Sequence, residues 1–188
     1  MRYLIVCGGK IDKEFGLNEI KTDGIDAIIA ADSGMDFLYE NGVTPDIIVG
    51  DFDSTKTNAL EYFARKGQTE IRRLNPVKDD TDTEYAIRLA ISEGARSIVV
   101  LGATGSRIDH VLGNISLLGI GLESKTDISI IDTNNRIRMA DKPVTIEKSA
   151  QYGRFVSLIA LTDDNEVSLR GFKYPVTDYS FDRFTSLG

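Results

Sequence analysis

Asp51 and Asp53 flank one phenylalanine in Gly50-Asp51-Phe52-Asp53-Ser54, and a second acidic cluster follows in Lys78-Asp79-Asp80-Thr81-Asp82. Each cluster sits where an apolar or extended run gives way to a loop. If the strand expected at residues 46–49 runs on extended, Asp51 and Asp53 fall on one face and can converge on one ion. Carboxylates crowded in this way repel unless a cation sits among them. Mg²⁺ takes few protein carboxylates and leaves coordination positions for water and substrate phosphates, which two sparse aspartate pairs can satisfy. The clusters therefore read as a divalent-metal site that handles phosphate.

Plainer roles compete for the same residues. Thr81-x-x-Glu84 is a capping box ahead of helically spaced Ala86, Ile87, Leu89, Ala90 and Ile91, so Asp82 also suits a helix N-terminus. A capped N-terminus beside a metal still presents backbone N–H groups to phosphate. A calcium-binding EF-hand is excluded, because with Asp51 in first place Lys56 and Tyr62 occupy the positions of the turn glycine and the bidentate glutamate. Asp51-Phe52-Asp53-Ser54-Thr55 after Ile47-Ile48-Val49 also looks like the nucleophile strand of an aspartyl-phosphate phosphatase, and that is the competing chemistry. A third element, Leu101-Gly102-Ala103-Thr104-Gly105-Ser106-Arg107, follows a strand and opens a helix, so its backbone can approach an anion closely. It is no P-loop, since Arg107 stands where the second glycine belongs, and no dinucleotide fingerprint. Ser106-x-x-Asp109 is a second possible capping box. The alternative to that capping role is that Arg107 holds a phosphate through its planar fork and Asp109 is available to face the reacting group.

These residues need a scaffold, and the pattern up to about residue 122 supplies one. Residues 3–7, 27–30, 46–49 and 97–101 read as strands, and residues 34–41, 57–66, 81–93 and 106–119 as helices. Such alternation argues for a parallel sheet covered by helices, with ligands at the carboxyl ends of the strands, where Asp32, Asp51, Asp53 and Gly102 fall. After residue 124 the pattern changes to short strand-like segments at 127–131, 136–140, 143–148, 155–161, 166–170 and 179–184, suited to a small sandwich or barrel. The expected architecture is an N-terminal parallel-sheet α/β (Rossmann-like) domain at residues 1–124 followed by a C-terminal all-β sandwich domain at 125–188.

Composition narrows the partners. With 22 basic and 29 acidic side chains the net charge is −7, which disfavours nonspecific nucleic-acid binding. The apolar run at residues 3–7 is too short for a signal peptide or a membrane span, and a cytoplasmic location is expected. Cys7 and His110 are the single cysteine and histidine, which rules out an internal disulfide and cysteine- or histidine-rich metal sites.

Taken in order, Ala31-Asp32-Ser33-Gly34, Pro45-Asp46, Gly50-Asp51-Phe52-Asp53-Ser54, Lys78-Asp79-Asp80-Thr81-Asp82 and Gly102-Ala103-Thr104-Gly105-Ser106-Arg107-Ile108-Asp109-His110 resemble the motif series of the thiamine pyrophosphokinases. Leu169-x-Gly171-Phe172-Lys173-Tyr174-Pro175 and Thr185-Ser186-Leu187-Gly188 look like that family's C-terminal domain. The resemblance implies an α/β catalytic domain that binds ATP and Mg²⁺, a β-sandwich that binds vitamin B1, and a homodimer with sites between subunits. It implies transfer of pyrophosphate from ATP to the hydroxyl of thiamine with release of AMP. By motif, Asp51, Asp53, Asp79 and Asp82 would hold Mg²⁺, while Asp32, Thr81, Gly102, Thr104 and Arg107 would serve ATP, with Thr81 and Arg107 on its phosphates. Asp109 would accept the hydroxyl proton or meet the thiazolium cation. Family members usually continue past Ser-Leu-Gly with a Ser-Asn segment and a last strand, so this chain as it stands is expected to bind Mg²⁺-ATP more normally than thiamine. A non-catalytic nucleotide-binding module is the remaining alternative.

Overall fold

The structure, a computed structural model, describes residues 1–53, 57–75 and 80–187. The chain divides into two compact units, Met1–Thr145 and Ile146–Gly188. In the first, seven strands form one sheet in the order β4-β3-β2-β1-β5-β6-β7. These are β1 (Arg2–Val6), β2 (Ala27–Ala31), β3 (Ile47–Gly50), β4 (Glu70–Arg73), β5 (Ser97–Leu101), β6 (Asp127–Ile131) and β7 (Arg136–Arg138). All pairings are parallel except that of β6 with β7. Chain order runs outward from β1 to one edge through β2, β3 and β4, then restarts at β5 on the other side. The gap between β1 and β5 at their carboxyl ends is thus the topological switch point, where doubly wound sheets bind ligands.

Two apolar clusters alternate along the central strands. Tyr3, Ile5 and Cys7 pack with Ala86, Ile87 and Leu118, which come from α4 (Asp82–Ser92) and α5 (Ile108–Ser124). Leu4 and Val6 pack with Met35, Leu38 and Phe63 from α2 (Gly34–Glu40) and α3 (Ala59–Lys66). Alternate residues of β1 therefore serve opposite faces, and a strand buried on both sides reads as a continuous apolar run.

Several elements differ from the sequence expectation, each for a local reason. α1 (Lys13–Ile20) is started by Asp12, whose Oδ1 accepts from the backbone N–H of Phe15 at 2.9 Å. β4 has one apolar residue in Glu-Ile-Arg-Arg, because it is an edge strand and edges tolerate charge. Residues 127–131 were expected in the β-sandwich, yet four of the five residues of β6 are buried, and the strand pairs with β5 in register Ser97↔Asp127. Lys125 makes this possible by capping α5 in the left-handed conformation at φ 57°, which turns the chain back to the sheet. β7 then folds back on β6. The division between compact units falls at 145/146 along the chain, and the expected one at 124/125.

The second unit holds an antiparallel pair of β9 (Asn165–Leu169) with β10 (Val176–Phe181), and a second antiparallel pair of β8 (Leu158–Ile159) with β11 (Ser186–Leu187). Residues 143–148, expected as a strand, form none; a short 3₁₀ turn follows at Lys148–Ala150. Among the described residues no helix is long and apolar enough to cross a membrane.

Candidate active site at the carboxyl ends of the sheet

Asp51 and Asp53 do converge, but not by continuation of a strand. β3 ends at Gly50, and Phe52 is left-handed at φ 69° and buried. That conformation is strained for a bulky side chain and persists where its surroundings hold it. Here Phe52 packs in the core under the guanidinium of Arg73, 5.0 Å from the ring centre, and Arg73 Nη1 donates to the Asp51 carbonyl at 3.4 Å. The resulting turn lets the backbone N–H of Asp53 donate to Asp51 Oδ1 at 3.2 Å. Asp32, just past β2 and left-handed at φ 49°, closes the group from the neighbouring strand. Its N–H donates to the Val49 carbonyl at 2.7 Å. Gly50 permits this approach, for a β-carbon there would lie 3.0 Å from Asp32 Cα.

Carboxylate oxygens of Asp32, Asp51 and Asp53 all lie within 4.8 Å of one another. The group is electrostatically crowded. The Asp51 charge and its hydrogen bond push the Asp53 carboxyl above its usual range, with Asp32 and Asp82 adding to the effect. Asp32 had been expected on ATP, and the structure places it with the two metal candidates. All three donors are hard oxygens, which suits Mg²⁺ and leaves positions for phosphate and water. Asp79 lies outside the described residues.

Thr81 and Asp82 open α4. The Thr81 hydroxyl accepts from the Glu84 N–H at 3.2 Å, while the Glu84 side chain turns to Arg88 at 2.9 Å instead of closing the capping box. One half of the expected box is thus formed. Asp82 occupies the first turn, close enough to raise both Asp53 and the buried Cys7 thiol, which burial pushes up to about 11.

The glycine loop sits at the switch point. Gly102 is left-handed at φ 68°, and a β-carbon there would come within 2.4 Å of the Cys7 carbonyl oxygen. Its own carbonyl accepts from Gly9 at 2.9 Å, so the loops after β1 and β5 are in backbone contact. Thr104, expected on ATP, donates its hydroxyl to Asp132 Oδ2 at 2.8 Å. The second capping box does not form: α5 begins at Ile108 after Arg107, with no side-chain cap. Asp109 instead pairs with Arg107 at 2.6 Å, and this ion pair holds its carboxyl down at about 2.

Sequence reasoning passed over Arg73, Asn114 and Asp132. Arg73 lies on the unexpected edge strand. Asn114 Nδ2 donates to the Ala103 carbonyl at 2.8 Å from inside a helix. Asp132 follows β6, and Asp-Thr-Asn-Asn was its one visible signal, as turn chemistry.

A capped helix N-terminus, a carboxylate cluster and a glycine loop around one switch point can hold a metal and a polyphosphate. The profile described as "Thiamin pyrophosphokinase, catalytic domain" matches residues 21–131, and "Thiamin pyrophosphokinase, vitamin B1 binding domain" matches residues 143–188. The chain belongs to the thiamine pyrophosphokinase family. A thiamine pyrophosphokinase of Bacillus subtilis is 35% identical over 152 residues, covering 80% of this chain and 70% of that protein. Among solved structures, a thiamin pyrophosphokinase from Geobacillus thermodenitrificans aligns with a TM-score of 0.80 at 28% identity, over 98% of this chain and 84% of that one. A thiamin pyrophosphokinase family protein from Enterococcus faecalis aligns with a TM-score of 0.76 at 28% identity, over 100% and 87%. The thiamine pyrophosphokinase catalytic profile contains the acidic group, the start of α4, the glycine loop and all of β6.

Proposed function

We propose that this chain transfers the pyrophosphoryl group of ATP to the hydroxyl of thiamine, giving thiamine diphosphate and AMP in an Mg²⁺-dependent reaction. Besides family membership, one observation carries the reading: Asp32, Asp51 and Asp53 converge within 4.8 Å beside the capped start of α4. Asp32, Asp51 and Asp53 would hold Mg²⁺, with Asp82 at the edge of the group and Asp79 assigned by motif. The bound ion would neutralise charge on the transferred group.

The chain's own residues do the positioning. Thr81 caps α4, whose first-turn N–H groups then present positive potential to phosphate. Arg107 offers its fork to the same polyphosphate. Asp109, already paired with Arg107, serves to orient that guanidinium; a carboxylate held at about 2 is a poor proton acceptor near neutral pH. The thiamine hydroxyl oxygen attacks the β-phosphorus and gives up its proton to solvent, the bond from that phosphorus to the α,β-bridging oxygen breaks, and AMP departs with that oxygen. Positioned positive charge lowers the cost of the charge that develops there.

Thiamine would be recognised by the unit that carries the vitamin B1 profile. We place the protein in the cytoplasm and expect a homodimer. The latter is supported by the apolar side chains that unit exposes, Phe155 at 85% and Phe184 at 90%. The deciding experiment incubates the protein with ATP and Mg²⁺ with and without thiamine. AMP should form only when thiamine is present, and thiamine-independent release of inorganic phosphate, with a phosphate adduct on Asp51 after acid quench, would return the reading to a phosphatase.

A further inference from the structure

Asp132 lies just past β6, away from the acidic cluster, and carries more hydrogen bonds than a turn aspartate needs. Its Oδ1 accepts from the N–H groups of Asn134 and Asn135, each at 2.7 Å, and from Asn135 Nδ2 at 3.0 Å. Its Oδ2 accepts from Asn135 Nδ2 at 3.1 Å and from the Thr104 hydroxyl at 2.8 Å. The two backbone N–H groups and Asn135 Nδ2 donate to this side chain, and an ionised carboxylate accepts all of them while still accepting from the Thr104 hydroxyl. Burial opposes ionisation, yet the bonds from Asn134, Thr104 and Asn135 hold the group below its usual range.

The Thr104 bond reaches 28 residues along the chain and ends in the glycine loop. Three clamps therefore set that loop: Gly9 N–H on the Gly102 carbonyl at 2.9 Å, Asn114 on the Ala103 carbonyl at 2.8 Å, and Asp132 on Thr104. The first two hold backbone, from the β1 loop and from α5. The third is the last fixed point before the exposed run Gly105, Ser106 and Arg107. The β6–β7 turn is rigidly tied to Asp132, which also donates its own N–H to the Asn135 carbonyl at 2.9 Å.

We infer that Asp132 is a positioning residue for the nucleotide: through Thr104 it anchors the glycine loop to the β6–β7 turn and so fixes where Gly105, Ser106 and Arg107 meet the phosphates of ATP. The inference rests on the proposed ATP-dependent reaction. Asp132 does not itself touch the reacting atoms, so its loss should weaken nucleotide binding far more than it slows the chemical step, and should leave thiamine recognition alone.

The test compares Asp132→Ser, which keeps an acceptor for the turn N–H groups but is too short to reach Thr104, with Thr104→Val, Thr104→Ser and the double variant Asp132→Ser/Thr104→Val. It uses calorimetry with a non-hydrolysable ATP analogue plus Mg²⁺, and steady-state kinetics. Loss of one charge-assisted bond should weaken analogue binding and raise the KM for ATP by about tenfold. kcat should stay within about threefold and the KM for thiamine should not move, because binding lost equally from ground and transition states leaves kcat alone. Thr104→Val should match Asp132→Ser, the double variant should be no worse than the worse single, and Thr104→Ser, which keeps the hydroxyl, should lose less than Thr104→Val. If Asp132→Ser fails to fold, Asn135→Ala, which removes the side-chain bonds that hold the Asp132 carboxylate, carries the comparison in its place, alone and with Thr104→Val. Parental analogue affinity in folded Thr104→Val, or losses that multiply in the double variant, would overturn the inference. A parent protein that binds the analogue but makes no AMP with thiamine would overturn the transfer reading alone, and calorimetry would still decide the role of Asp132. A parent that binds no nucleotide would overturn both.

Discussion

Asp53 illustrates how one residue reports on the carboxylate cluster. Its carboxyl is raised, chiefly by the charge of Asp51, so the folded state holds that proton more tightly than the unfolded chain does. The favourable contribution is then fully present below the unfolded value and is lost as pH rises through the raised one. In chelator, the melting temperature of the parent should fall behind that of Asp53→Asn as pH rises through this window, and Mg²⁺ should close the gap. Parallel melting curves at every pH would remove Asp53 from the cluster. Asp51→Asn should fold normally and lose turnover by about a hundredfold or more at ordinary Mg²⁺, since it deletes a charge of the proposed Mg²⁺ site while keeping side-chain volume. Asp109 behaves in the opposite sense: its carboxyl is lowered to about 2 by Arg107, so its contribution is present above the unfolded value and fades as pH falls toward 2. As an orienter, Asp109→Asn should raise the KM for ATP and leave the pH profile of kcat in place. Disappearance of the acidic limb of that profile would restore it as the proton acceptor, since a base is lost as it takes up a proton.

Elements carry the next level of prediction, because the site is built at their ends. The Thr81 cap supports the start of α4, and Thr81→Ala should cost about 1 kcal/mol, or about 2–4 °C in Tm, measurable by thermal denaturation. The loop after β5 is less forgiving. Gly102 combines φ 68° with a backbone neighbour 2.4 Å from where a β-carbon would sit. Gly102→Ala should therefore cost about 2 kcal/mol or more and weaken ATP binding with it, since strain and clash act on the same contact with the β1 loop. Normal stability with normal ATP affinity would show that the loops after β1 and β5 can separate at little cost.

At the scale of the whole molecule the two units differ in how much they bury. The first has two apolar clusters built on the sheet, whereas among the described residues beyond Thr145 only Ala160 is a buried apolar residue. Phe155, Ile159, Tyr174 and Phe184 are exposed there, between 72% and 90%. A second copy of the chain is the partner we expect to cover them. Light scattering should give about twice the 20.7 kDa chain mass, and Phe184→Asp should shift the equilibrium toward monomer and raise the KM for thiamine. A parent that scatters as a monomer at full activity would dispose of the dimer. Amide exchange should be slowest in β1 and β5 and faster throughout β8 to β11, because protection follows buried contacts.

The order of apolar runs and loop motifs was enough to establish the fold class and the family. Continuous runs such as Leu4-Ile5-Val6 must be buried on both faces, and Asp-Phe-Asp, Thr-Asp-Thr-Glu and Gly-Ala-Thr-Gly sit at element ends whatever the details of packing. These are local facts, carried by alternation, caps and turn chemistry. Contacts between distant segments were not legible in that way. Asp32 joined Asp51 and Asp53 because adjacent parallel strands end side by side, and Phe52 took a left-handed turn because Arg73 and the core hold it there. β6 entered the sheet because β5 offered it an unpaired edge, a fact of topology that its own five residues do not contain. Asp132 met Thr104 for the same reason: β5 and β6 end together. A sequence specifies which side chains are available at strand ends, whereas the sheet decides which ends are neighbours, because parallel pairing brings together residues that the chain separates by a whole helix.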